Sequence, residues 1–107
     1  MKKLFVLVFF ILTGLFFSGC ETDPNSVFRV IYYGNGSDYG FPPTDINEYK
    51  SGMEAIVLGK NSLIKTGYTF QCWDTRADGS GDSYNAGDKI KINNQNRFLY
   101  AVWEKDQ

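Results

Sequence analysis

The sequence contains no histidine, only two cysteines and three prolines, and no excess of positive charge. Without histidine, neither a serine triad nor a cysteine triad of the usual kind can be assembled, and zinc loses its commonest ligand. The formal net charge of −1 and the lack of a basic patch argue against nucleic-acid binding. Paired carboxylates remain as candidate catalytic groups, but so small a chain can hardly enclose the cleft that they need. We therefore expect no enzymatic activity, no cofactor and no nucleic-acid partner.

The long apolar run of the chain lies at its N-terminus. Lys2 and Lys3 precede an apolar segment, residues 4–17, after which the small residues Ser18 and Gly19 lead into Cys20. A positive start, a short apolar stretch and small residues are typical of a secretory signal, and the stretch is too short for a comfortable transmembrane helix. An ordinary signal peptide with an incidental cysteine is one interpretation of this pattern.

The letters "FFSGC" that close this segment resemble the lipobox of bacterial lipoproteins, although Phe17 stands where leucine is common. The resemblance implies that Cys20 receives a diacylglycerol and further acyl chains such as palmitate, and becomes the first residue of the mature chain. It predicts a signal peptide over residues 1–19, and a lipidated cysteine with a short tether over residues 20–27. The protein is then expected to be exported and held by lipid on a membrane of the cell envelope, at the surface or facing the periplasm.

The state expected for the second cysteine, Cys72, depends on whether Cys20 is lipidated. If Cys20 carries lipid, Cys72 has no partner, and a cysteine on a strand is then expected to be a small buried apolar residue. A bridge between Cys20 and Cys72 stays open if the lipobox interpretation fails.

The rest of the chain has short apolar or alternating segments separated by turn residues. This pattern predicts an α+β, strongly β-rich domain with little or no helix. Strands are expected over residues 28–33, 53–59, 67–73, 89–93 and 97–103. Alternation places several side chains on core faces: Phe28, Val30, Tyr32, Tyr68, Phe70, Cys72, Ile90 and Ile92. The last strand, "RFLYAVW", is apolar on both faces and is expected to be central and covered.

The stretch "CWDTRADGSGDSYNAGD" carries four aspartates and three glycines. Calcium is one interpretation, but the EF-hand spacing counted from Asp74 puts Arg76 where an acid is needed and Asn85 where a glutamate is needed. Counting from Asp78 puts Ser83 where the glycine belongs. Two consecutive tight turns explain the same letters, because Asp and Asn cap turns and glycine accepts positive φ. We predict a structural loop without a metal.

Several segments together resemble the Listeria-Bacteroides repeat, also called the internalin B-repeat. They are "KTGYTFQCWDTRADGSGDSYNAGDKI", the closing "LYAVW", and the upstream "VIYYGNG", "PPTD" and "VLGKN". The resemblance covers residues 28–104, which leaves a tail of residues 105–107, and Cys72 stands where the repeat has glycine. It implies a small β-grasp-like, non-catalytic surface module of the kind found in adhesins. It also implies hallmark core positions at Tyr68, Phe70, Trp73, Leu99 and Trp103.

The expected function is that of a lipid-tethered module that contacts a protein on a host, on a neighbouring cell or in its own envelope. Tyrosines give large, rigid, amphipathic contacts, so Tyr33, Tyr39 and Tyr49 are candidate exposed binding residues. Carbohydrate binding is an alternative, with Trp73 and Trp103 as stacking platforms. A spacer without any ligand is another alternative.

Overall fold

The computed structural model describes residues 23–107, which form six β-strands. In chain order these are β1 (Val30–Tyr33), β2 (Glu54–Ile56), β3 (Tyr68–Asp74), β4 (Ser83–Tyr84), β5 (Lys89–Lys91) and β6 (Arg97–Lys105). No α-helix occurs in this range, so the prediction of a strongly β-rich domain with little or no helix is confirmed. Among the described residues, no helix is long and apolar enough to cross a membrane. The predicted signal peptide and Cys20 lie outside the described residues.

The strands form two sheets. The larger sheet has the order β1-β6-β3-β4, with β1 parallel to β6 and with β3 antiparallel to both of its neighbours. The smaller sheet is the antiparallel pair β2-β5. Strand β6 lies between β1 and β3, which confirms the central position predicted from its apolar letters. It continues to Lys105, one residue past the predicted end of the domain.

The hydrophobic core joins side chains from both sheets. The larger sheet contributes Trp73, Leu99 and Ala101, each fully buried, and the smaller sheet and its flanks contribute Ala55 and Ile90. The core faces predicted for the first and fourth expected strands are confirmed, because the following side chains are buried: Val30, Tyr32, Ile90 and Ile92. Phe28 and Phe70 are half-buried against this cluster.

A β-bulge in β3 changes which of its side chains reach the core. Phe70 lies opposite Trp103 and Cys72 lies opposite Val102, so the register shifts between Phe70 and Cys72. An extra residue reverses the alternation beyond it. Trp73 therefore returns to the face of Phe70, with ring centroids 5.1 Å apart. The prediction that Cys72 shares the core face with Phe70 is wrong for this reason, and Cys72 is only half-buried.

The acidic loop contains a strand that the sequence did not predict. Two consecutive turns were expected after Trp73, but Ser83 and Tyr84 pair antiparallel with Asp74 and Trp73 as β4. A two-residue strand leaves too little alternation to be recognised in a sequence. Tyr84 is half-buried and packs against the core.

Candidate functional site

The larger sheet has one face that the core does not cover. Alternation along β6 turns Leu99, Ala101 and Trp103 toward the core and turns the residues between them to the other side. The matching residues of β1 follow from the parallel register, which puts Ile31 opposite Phe98 and Tyr33 opposite Tyr100. We call this surface the aromatic face; it consists of Ile31, Tyr33, Phe98, Tyr100 and Val102.

The aromatic face carries large side chains in contact with solvent. Tyr33 is 42% exposed and Phe98 is 41% exposed, while Tyr100 is half-buried beside them. The ring of Tyr33 stacks on Tyr100 with centroids 5.1 Å apart and on Phe98 with centroids 6.3 Å apart. The interplanar angles are 17° and 22°, so the rings are nearly parallel. The ring of Tyr33 is thus stacked with both of its neighbours on this face.

The three tyrosines proposed from the sequence lie in different environments. Tyr33 belongs to the aromatic face, and Tyr39 is 67% exposed in the loop after β1, where it bridges to Ile64. The expectation of exposure is wrong for Tyr49, which is only 8% exposed. Its hydroxyl donates to the buried carboxylate of Asp45 at 2.7 Å, and its backbone pairs with that of Phe28. Tyr33 and Tyr39 are therefore the two that the structure leaves available for contacts.

Phe98 and Tyr100 were not proposed as binding residues, although the sequence carried a signal for them. The segment "RFLYAVW" is apolar on both faces, and the prediction that both of its faces are covered is wrong. The described residues cover only the face that holds Leu99 and Ala101. An apolar second face on a central strand can therefore indicate a contact surface as well as a second layer.

Three aspartates of the acidic loop, Asp74, Asp78 and Asp88, accept hydrogen bonds from backbone N–H groups of the same loop. Asp74 is fully buried, and its Oδ1 accepts the N–H of Arg76 at 2.8 Å and the N–H of Gly81 at 2.9 Å. Asp78 accepts both the N–H and the hydroxyl of Ser80, and these hydrogen bonds hold its pKa below the ordinary value. Within residues 23–107, no three acidic or cysteine side chains are grouped closely enough to hold a metal ion. The loop geometry is that of turns stabilised by carboxylates.

The two tryptophans do not form an open platform. Trp73 is fully buried, and its Nε1–H donates to the carbonyl of Leu58 at 2.8 Å. Trp103 is half-buried, donates to the carbonyl of Gly34 at 2.9 Å, and meets Phe70 edge-on. Tyr68 is also half-buried, and the ammonium of Lys65 lies 4.2 Å from its ring centroid. Sugar stacking on the face of Trp73 is excluded by this packing.

These features define a small β module, without an α-helix in residues 23–107, that carries an aromatic face outside its core. The chain belongs to the Listeria-Bacteroides repeat domain family, whose family model matches residues 28–102. The resemblance seen in the sequence is therefore confirmed, and the single match agrees with one copy of the repeat.

Two relatives come from Evansella cellulosilytica. One, provisionally named a Gly-rich membrane protein, is 41% identical over 78 residues, which is 72% of this chain and 9% of the relative. The other, provisionally named a membrane protein, is 40% identical over 77 residues, which is 71% of this chain and 11% of the relative. The chain thus spans about a tenth of the length of these curated relatives. No solved structure matches the chain.

Proposed function

We propose that the chain is a non-catalytic interaction module of the bacterial cell envelope, and that it binds a protein partner through the aromatic face. The observation that carries this proposal is the row of stacked rings at Tyr33, Phe98 and Tyr100 on an uncovered sheet face. Contiguous apolar surface with an aromatic centre marks contact sites on small proteins, because covering it removes apolar area from water. Membership of a repeat family with relatives named as membrane proteins supports an envelope location.

The ring geometry favours a protein over a glycan as the partner. Sugar rings stack on an open aromatic face, but Tyr33 and Tyr100 are nearly parallel to each other at 5.1 Å. This stacking leaves less open ring face for a sugar, whereas the exposed parts of Tyr33 and Phe98 suit contacts with the side chains of another protein. The buried position of Trp73 weakens the carbohydrate alternative further.

The absence of catalysis is part of the proposal. The full sequence has no histidine, and the buried carboxylate of Asp74 is engaged by backbone donors of its own loop. We also propose a β-grasp-like arrangement for the larger sheet. The support for it is the parallel pairing of the first strand, β1, with the last strand, β6.

We further propose that lipid on Cys20 anchors the module, as the "FFSGC" junction suggests. Replacing Cys20 by alanine is expected to move the protein from the membrane fraction to the soluble fraction, because stable anchoring requires more than one lipid chain and a cysteine is their attachment point. Cys72→Ala is the matched control and should remain with the membrane. Mass spectrometry of the mature N-terminus checks the modification directly. A Cys20→Ala protein that stays fully membrane-bound would contradict the anchor.

Site-specific photocrosslinking in intact cells tests the aromatic face. A benzoylphenylalanine at position 33 or 98 of the full chain is expected to form a protein adduct, because both side chains point to solvent from this face. Position 56 is the control, since Ile56 is 50% exposed on a strand of the other sheet. The adduct at position 33 should disappear when Phe98 is changed to serine.

Each other outcome contradicts part of the proposal. Equal adducts at positions 33 and 56 would mean unspecific contact, and no adduct at either position would favour a spacer without a ligand. An adduct that is digested by glycosidases rather than by proteases would support the carbohydrate alternative.

A further inference from the structure

Strand β6 is longer than the strand beside it. β1 ends with Tyr33 opposite Tyr100, whereas β6 continues to Lys105 and stays paired on its other side with β3. The side of β6 on which β1 lies is therefore uncovered beyond Ala101. This leaves a short open strand edge next to the aromatic face.

The hydrogen bonds show which backbone groups this open edge presents. The N–H of Arg97 donates to the carbonyl of Arg29, next to β1, and the N–H of Asp106 donates to the carbonyl of Gly67, next to β3. The N–H and C=O of one strand residue point to the same side, and the side alternates along the strand. Odd-numbered residues of β6 therefore face β1, and even-numbered residues face β3. Trp103 and Lys105 direct their backbone groups into the open side.

Asn35 takes the place of the next β1 residue and ends the ladder. Its backbone is in the left-handed region, with φ 51°, so the chain turns away from β6. Its side-chain Nδ2 donates to the carbonyl of Ala101 at 2.8 Å and to the carbonyl of Ala77 at 2.8 Å. The outward backbone groups of Trp103 have no hydrogen-bond partner within residues 23–107. The edge is thus closed at Ala101 and open after it.

A cavity of about 320 Å³ lies along this open edge. Its walls include Asn35, Lys65, Asp78, Gly79 and Trp103. The Lys65 ammonium is placed at the closed end, because its Nζ is 3.4 Å from the point where a Cβ on Gly36 would stand. Asp78 is the acidic group in the walls, and its carboxylate is engaged by Ser80.

Lys65 has the ring of Tyr68 beneath it and forms no salt bridge with any carboxylate of residues 23–107. The ion pair found among the described residues joins Arg29 to Glu48, elsewhere on the surface. The ammonium of the half-buried Lys65, in the same cavity as unpaired backbone groups of β6, is complementary to a carboxylate and to the backbone of an extended peptide.

We propose that this cavity binds the C-terminal end of an extended polypeptide, which pairs antiparallel with Trp103 and Lys105 of β6 and places its terminal carboxylate on Lys65. The chain end fits because the turn at Gly34 to Gly36 blocks any continuation past Ala101. A free sulfate or phosphate would satisfy Lys65 but would leave the strand groups of Trp103 unpaired. This inference rests on the proposed function, in that it assumes a protein partner.

The test uses a fluorescent pentapeptide, Thr-Val-Thr-Val-Val, with a free C-terminal carboxylate, titrated by fluorescence anisotropy into the full chain held in detergent. Its C-terminal amide is expected to bind about tenfold more weakly, because a hydrogen bond to a charged group is lost. Lys65→Met should lower the affinity for the acid peptide by a similar factor and leave the affinity for the amide unchanged. Lys65→Arg should restore the preference for the acid.

A second pair of variants tests the strand edge. Lys105 lies opposite Tyr68 at a position where its N–H points away from β3, so Lys105→Pro removes an outward donor and keeps the β3–β6 ladder. We expect Lys105→Pro to weaken binding about fivefold, as one hydrogen bond is lost, while Lys105→Ala binds normally. Amide NMR shifts confined to residues 101–105 would support the placement.

Equal affinities for the acid peptide and its amide would overturn the inference. It would also be overturned if millimolar sulfate or phosphate abolished peptide binding while Lys105→Pro had no effect. Self-association of the chain in place of peptide binding would overturn it as well. Loss of peptide binding together with an intact crosslink at position 33 would reject this site and leave the proposed function standing. Peptide binding without a crosslink would reject the aromatic face alone.

Discussion

Changing Trp73 to alanine is expected to leave the domain largely unfolded at room temperature. The side chain is fully buried and packs edge-on against Tyr32 and Phe70, with ring centroids 4.8 Å and 5.1 Å away. Its Nε1–H also donates to the carbonyl of Leu58 at 2.8 Å, so the variant leaves an unpaired acceptor as well as a cavity. The cavity costs about 3–5 kcal/mol and the unpaired acceptor about 1–3 kcal/mol more, which together reach or exceed the roughly 5 kcal/mol that a small domain has to lose.

Urea unfolding followed by circular dichroism measures this effect, with two variants for comparison. Trp73→Phe keeps a ring in the core and should lose clearly less stability than Trp73→Ala. Trp103→Ala should also cost less, because Trp103 is half-buried and only part of its surface leaves water on folding. A Trp73→Ala protein with an unchanged unfolding midpoint would contradict this assignment of the core.

The strands that could be predicted from the sequence are those with clear local patterns. Alternating apolar letters predicted β1 and β5, and a run that is apolar on both faces predicted β6. The buried positions of Val30, Tyr32 and Ile90 agree with the alternation in the first two. The bulge in β3 could not be read in the same way, because one extra residue changes the phase without changing the composition. Its outcome, Trp73 in the core and Cys72 out of it, depends on the partner strand.

The candidate site was predictable only in part, because it is assembled from distant segments. Tyr33 and Phe98 are 65 positions apart, and they become neighbours only through the parallel pairing of β1 with β6. Parallel strands need a long connection between them, so no local signal marks their register. The sequence showed that "RFLYAVW" is apolar on both faces, but the number of layers that cover a strand is a property of the whole fold.

The composition of the acidic loop is explained by hydrogen bonds and close packing within the loop. Four aspartates in one stretch raise the idea of a metal, whereas in the structure three of them, Asp74, Asp78 and Asp88, accept backbone N–H groups of the same loop. Gly81 has no room for a side chain, since an added Cβ would lie 2.8 Å from the Oδ1 of Asp74 and would also clash with Thr75. The glycine and aspartate residues of this loop are thus explained by the packing and hydrogen bonding of its backbone.

Replacing Asp74 by alanine should therefore destabilise the domain by about 2–4 kcal/mol, because its fully buried carboxylate accepts three hydrogen bonds that alanine cannot accept. The donors are the N–H groups of Arg76 and Gly81 and, at 3.3 Å, the hydroxyl of Ser83. The loss should reach β4, since Ser83 begins that strand and pairs directly with Asp74.

Two control variants distinguish the loss of this buried hydrogen-bond acceptor from the loss of a negative charge in the loop. Asp88→Ala removes a carboxylate of the same loop that accepts one N–H, from Asn85 at 2.7 Å, but it lies in solvent and should cost about 1 kcal/mol. Asp74→Asn keeps an acceptor oxygen in the same position and should fall between the two alanine variants. Unfolding midpoints for the three proteins, with and without millimolar calcium, decide between the interpretations. If Asp74→Ala and Asp88→Ala lose the same stability, and calcium raises the midpoint of the unmodified chain alone, the loop is a metal site and its carboxylates are not turn caps.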